Sequence, residues 1–137
     1  MGWARIRMKY FARVVALNPY VEEEVTLSFG EYEICCFINE PKVFVIGEVY
    51  LVELVLMFFD DIEIKQSNDH VMSLTQIGNS FAYQLNGKLL DNKFIVTNLV
   101  FEDDLFYQYS HIVNQYVMLK SDRINVEIIE SISHELF

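Results

Sequence analysis

The sequence predicts a mainly β protein, a small antiparallel β-barrel or sandwich, and three observations carry that prediction. Apolar and polar residues alternate with a period of two along most of the chain. Turn signals recur at short, regular intervals, leaving room for about eight to nine strands. Helical spacing shows only near residues 102–112, so at most one short helix is expected.

Each element follows from its residues. In "RIRMKYFARVVAL" the even positions Ile6, Met8, Tyr10, Ala12, Val14 and Ala16 are apolar, while Arg5, Arg7 and Lys9 open the odd ones. This is a strand with one core face and one basic face. Asn18-Pro19 ends it, because proline drives its predecessor out of helix and donates nothing to a ladder. Glu22–Ser28 and Glu31–Ile38 form a hairpin across Phe29-Gly30, with Tyr32, Ile34, Cys36 and Ile38 sharing a face. Asn39-Glu40-Pro41 breaks the run again.

In the stretch from Gly47 to Ile64 the even positions from Tyr50 onward, Tyr50, Val52, Leu54, Leu56, Phe58, Ile62 and Ile64, form a core face interrupted only by Asp60. The odd face is apolar to Phe59 apart from Glu53, then acidic. The reading is one long strand, bent near Asp60-Asp61 so as to serve both sides of a barrel. Glu53, flanked on its face by Leu51 and Val55, is expected to be at least half-buried and paired with an arginine of the first strand or protonated.

Ser67–His70 is a loop and residues 71–77 a strand. Asn86-Gly87, the strongest short hairpin signal, is expected to turn the chain inside residues 80–90. Lys93–Phe101 reads as one strand. Leu105, Tyr109 and Ile112 follow helical spacing, with acids in the first turn where the helix dipole favours them. Residues 114–120 and 123–129 flank Ser121-Asp122 as a closing hairpin, and residues 131–137 fray or form a helical turn. This succession fits an OB-like Greek-key barrel with extra strands, a single domain over residues 1–137.

Composition narrows the function classes. The chain is 53% hydrophobic and 15% aromatic, which excludes disorder, and five glycines with two prolines leave no flexible linker. The basic start lacks an apolar segment and cleavage site behind it, so no signal peptide is expected and the assignment is cytoplasmic. As a helix the apolar run at Val49–Phe59 would cover about 16 Å against about 30 Å of hydrocarbon, so no membrane partner is expected. Cys35 and Cys36 are neighbours in sequence and read as free thiols, one of them in a core.

Net charge is −10, and because Arg5, Arg7, Lys9 and Arg13 lie at the start, the rest holds six bases against twenty acids. Such a surface repels phosphate and attracts basic proteins. Trp3, Tyr10 and Phe11 beside the basic strand imitate single-strand nucleic-acid binders, but the surrounding acidity opposes that partner. His70, His111 and His134 lack metal-ligand spacing, Ser80 lacks a nucleophile-elbow setting, and no phosphate-binding glycine loop occurs. No metal, cofactor or enzyme activity is expected.

Two acidic clusters sit next to aromatics: Asp60, Asp61 and Glu63 beside Phe59, and Glu102, Asp103 and Asp104 close to Tyr107. They are the candidate partner-binding residues, the carboxylates meeting Lys and Arg while Phe58, Phe59, Phe101 and Tyr107 supply anchors. In size, charge and absence of catalytic motifs the chain resembles bacterial immunity proteins that neutralise nuclease toxins, a likeness that covers no motif. The resemblance implies an acidic, non-catalytic binding protein that inhibits a basic protein partner. The alternatives are a barrel enclosing a small apolar ligand and a homo-oligomeric module, such as a homodimer, with the odd face of Val49–Phe59 as its seam.

Overall fold

The computed structural model describes residues 8–132, so the expectations for Trp3, Arg5, Ile6, Arg7, His134 and the terminal turn lie outside the described residues. The described residues form two compact units, one of residues 8–54 with 125–132 and one of residues 55–124. The described residues are mainly β, with eleven strands and one short helix.

The first unit is a closed five-stranded barrel. Its strands are β1 (Lys9–Asn18), β2 (Val21–Ser28), β3 (Glu33–Ile38), β4 (Val49–Met57) and β11 (Arg123–Ile132), in the order β1-β2-β3-β11-β4 and back to β1. Counting barrel strands alone the order is 1-2-3-5-4, the Greek-key wiring of an OB-type barrel. The β1–β2, β1–β4 and β2–β3 pairs are antiparallel, and β3 with β11 is parallel through Asn125–Phe37 and Val126–Ile38. Residues 55–124 are thus an insertion between the fourth and fifth barrel strands.

Alternation builds this core: Ala12 and Val14 from β1, Val25 and Leu27 from β2, Ile34 and Cys36 from β3, and Tyr50, Val52 and Leu54 from β4 are all buried. Two sequence expectations fail on β1. Met8, which precedes the strand, is exposed, and Ala16 turns outward because a bulge between Val14 and Ala16 shifts the register there. The β1–β2 turn is Pro19-Tyr20, closed by Asn18 Oδ1 accepting from the Tyr20 amide at 2.9 Å.

Glu53 lies directly across from Lys9, with Nζ 3.9 Å from Oε1 and its own side chain only 15% exposed. Its partner is a lysine of the first strand, not an arginine. Both cysteines are buried and neither forms a disulfide; they lie on opposite faces of β3. Burial, then the Glu24 carboxylate, pushes the Cys35 thiol up to about 11, and burial pushes Cys36 higher still.

The second unit is an open sheet in the order β5-β10-β7-β8-β9, with β6 also on β7. Its strands are β5 (Glu63–Gln66), β6 (Ser73–Gln76), β7 (Tyr83–Leu90), β8 (Lys93–Val96), β9 (Leu99–Glu102) and β10 (Tyr116–Ser121). Leu85, Leu89, Phe94, Val96, Leu99, Phe106, Val117 and Leu119 make its core.

Four sequence expectations are corrected here. The long strand at 47–64 is two: β4 stops at Met57, and β5 starts at Glu63 and belongs to the open sheet, so no single strand serves two sides of the barrel. Asn86-Gly87 is no turn, because β7 runs straight through it. A Cβ on Gly87 would overlap the Ile95 carbonyl and press on Val96, so the glycine serves close backbone approach. That approach comes where the flank of β7 changes from β6, paired as far as Asn86, to β8, paired from Lys88.

Lys93–Phe101 is a hairpin, β8 and β9 joined by Thr97-Asn98 with Thr97 at φ +54°. Ser121-Asp122 closes no hairpin: β10 pairs with β5 and β7, whereas β11 is a barrel strand. The helix stands where expected but is a 3-10 helix, Asp104–Ile112, interrupted at Tyr109. Its buried residues are Phe106 and Ile112, one on each side of the interruption.

Candidate functional site

In the second unit the end of β4, the segment that follows it, and the 3-10 helix with its cap line an open cleft of about 440 Å³. Asp60, Asp61 and Asp103 line it, with Phe58, Leu105 and Tyr109 as its apolar part. No lysine or arginine is among the lining residues.

Both walls are held by short side chains bonded to backbone. Buried Ser121 Oγ accepts from the Met57 amide at 3.2 Å and donates to the Arg123 carbonyl at 2.8 Å. Asp122 accepts from the Phe59 amide at 2.8 Å, while its own amide donates to the Met57 carbonyl at 2.9 Å. Residues 57–59 are therefore fixed where β4 ends, and Asp60 and Asp61 follow into solvent. On the other wall Asp103 caps the 3-10 helix, Oδ1 accepting from the Leu105 amide at 2.9 Å. Its amide donates to the Asn92 carbonyl at 2.9 Å.

Three of the eight sequence candidates come together here: Asp60, Asp61 and Asp103. Phe59 flanks them, 58% exposed, with the Arg123 guanidinium 4.9 Å from its ring centre. The others stand apart. Glu63 pairs across strands with Lys120 and borders a different cleft. Glu102 is opposite Lys93, 4.0 Å away, and Asp104 accepts from Asn92 Nδ2 at 3.4 Å. Tyr107 is 58% exposed on the helix but does not line the cleft; Tyr109 does.

Phe101 is buried in the sheet core, which removes it as an anchor. Sequence spacing missed Gln108 and Tyr109 as lining residues because it assumed 3.6 residues per turn, whereas the 3-10 geometry directs Phe106 inward.

Other chemistry-bearing groups are dispersed. Among the described residues no group of three or more His, Cys, Asp or Glu is placed to hold a metal ion. His70 stacks on Tyr116 with ring centres 4.6 Å apart, and His111 is exposed near the helix end. No helix of the described residues is long and apolar enough to cross a membrane. On the outer barrel face of β2 and β3, where OB-type barrels carry oligonucleotides, stand Glu22, Glu24 and Glu33.

Fold and site together define an OB-type barrel that carries, between its fourth and fifth strands, an open sheet with an acidic cleft. The chain belongs to the family described as Uncharacterised conserved protein UCP019853, whose model matches residues 8–129 and so covers both units. Compared with curated proteins and with solved structures, the chain finds no significant match in either.

Proposed function

We propose that this is an acidic, non-catalytic binding protein that captures and inhibits a basic protein partner in the cytoplasm, as immunity proteins do with nuclease toxins. One observation carries the reading: Asp60, Asp61 and Asp103, from two separate segments, line one cleft with Phe58 and Tyr109 and without a basic residue. A lysine or arginine of the partner would find carboxylates on two walls and an aromatic surface between them. Phe59, already against Arg123, offers an exposed ring for a hot-spot contact. The glutamates of the outer barrel face oppose a phosphate backbone, which favours a protein partner over nucleic acid.

The test is the association rate of a partner isolated from the native source, measured at about 50 and about 500 mM salt. The rate is expected to fall about tenfold or more between them, and to fall comparably in an Asp60→Asn, Asp61→Asn, Asp103→Asn variant. Asparagine caps helices as well as aspartate, so the last change removes charge and keeps the cap. A flat salt response would reject electrostatic capture.

A further inference from the structure

The barrel unit carries a second surface, unrelated to the acidic cleft. Two adjoining grooves of about 430 and about 460 Å³ meet at Glu22, Ile38 and Lys42. One is walled by Leu17, Pro19, Val43 and Phe44. Apolar side chains crowd its margin: Tyr20, on the turn beside Pro19, is 93% exposed and Val43 is 81% exposed. Val45 and Ile46 extend this exposed apolar surface along the same connection. An apolar cluster of this kind on a closed barrel marks an interaction surface, because alternation already fills the interior and nothing requires valines outside.

Charge selects the occupant. Glu22, Glu23, Glu24 and Glu40 line the two grooves. Glu24 accepts from Asn18 Nδ2 at 3.3 Å, and Glu40 lies 3.4 Å from Lys42. Lys42 also donates to the Ile128 carbonyl at 3.3 Å, so the one base lining the grooves is engaged. The side chains of Glu22 and Glu23 make no hydrogen bond or ion pair among the described residues.

We propose that the joined grooves dock an extended segment of a partner protein in which cationic and apolar side chains alternate. In an extended segment alternate side chains face opposite ways, so one row seats against Leu17, Val43 and Phe44 while the other meets Glu22 and Glu23. A second copy of this chain would bring net charge −10 against these glutamates, and anionic lipid is repelled on the same ground. The inference rests on residues of the barrel alone and stands or falls independently of the cleft.

The experiment titrates the isotope-labelled full chain with a short synthetic peptide of alternating lysine and leucine, followed by amide chemical shifts. Shifts are expected at Leu17, Tyr20, Glu22, Glu23 and Val43. A Glu22→Lys, Glu23→Lys double variant and a Val43→Asp variant are each expected to weaken binding about tenfold or more. An Asp60→Asn, Asp61→Asn variant is expected to bind as the native chain does, which separates this surface from the cleft. The altered residues are exposed, and a native-like spectrum of each variant verifies its fold. Absence of shifts at the groove, equal binding of an all-lysine peptide, or unchanged affinity of both groove variants would overturn the proposal. So would concentration-dependent self-association that Val43→Asp abolishes, since that would assign the groove to a second copy.

Discussion

The barrel and the inserted sheet solve the same problem, hiding one face of each strand, with opposite uses of the carboxylate. All seven aspartates of the chain lie between residues 60 and 122, in the inserted unit, whereas every acidic residue of the described barrel is a glutamate. The reason is geometric. A closed ring with long strands has few free amides, so its acids stand on strand faces, where the longer side chain reaches solvent. Four of the six strands of the inserted sheet have only four residues, with many turns between them, and a short carboxylate reaches the backbone there. Asp103 caps the helix, Asp122 holds the Phe59 amide, and Asp91 takes φ +53° in the β7–β8 turn. The acidic cleft is a by-product of this habit, turn carboxylates gathered where two turns meet.

The contrast breaks most visibly at Gly87. If the inserted sheet depends on close strand approach there, Gly87→Ala is expected to cost about 3 kcal/mol in denaturant unfolding, since the Ile95 carbonyl is backbone and cannot step aside cheaply. An alanine tolerated without loss would mean that β7 and β8 are spaced more widely than described. The same position shows why the local turn signal misled. Asn-Gly is permissive of a turn and does not compel one, and a strand that changes neighbours needs a glycine for a reason no local rule contains. Conversely, the real turn at Thr97-Asn98 puts a β-branched residue at positive φ, which turn chemistry disfavours, so "FIVTNLVF" reads as unbroken strand.

The barrel was more legible because alternation is a property of each strand by itself: Tyr50, Val52, Leu54 and Leu56 announce their burial before any partner is known. Strand order was not legible. Nothing in the residues around Asp122 tells a hairpin from a passage between sheets, since both need only a short polar break. The cleft was half legible for the same reason, its carboxylates standing out in sequence and their convergence depending on the 3-10 geometry of residues 104–112.

The cysteines sharpen the comparison through pH, for both belong to the barrel. Each thiol has its folded pKa raised above the ordinary value near 9, so the folded state holds protons that the unfolded chain releases. Stability is therefore unaffected by these groups below about pH 9 and falls as pH rises from there toward the folded values. Unfolding midpoints at a series of alkaline pH values are expected to decline, and a Cys36→Val variant to decline less steeply. Equal slopes would mean that Cys36 is not sealed in the barrel interior.

The smallest expected effect concerns the carboxylate set within the apolar run of β4. Lys9 is half-exposed, so its attraction to Glu53 works through solvent, and Lys9→Met is expected to cost about 1 kcal/mol or less. Glu53→Leu is expected to be neutral or mildly stabilising, because a leucine beside Leu51 and Val55 gains burial where the carboxylate had lost hydration. A loss of several kcal/mol from either change, measured by denaturant unfolding, would mean that the pair is sealed from water and holds the β1–β4 register. The barrel closes through that one antiparallel pairing, Lys9 to Glu53 through Arg13 to Val49. With Phe11 facing Leu51 at its centre, apolar contact is sufficient to set the register, and the charged pair at its end adds solubility more than strength.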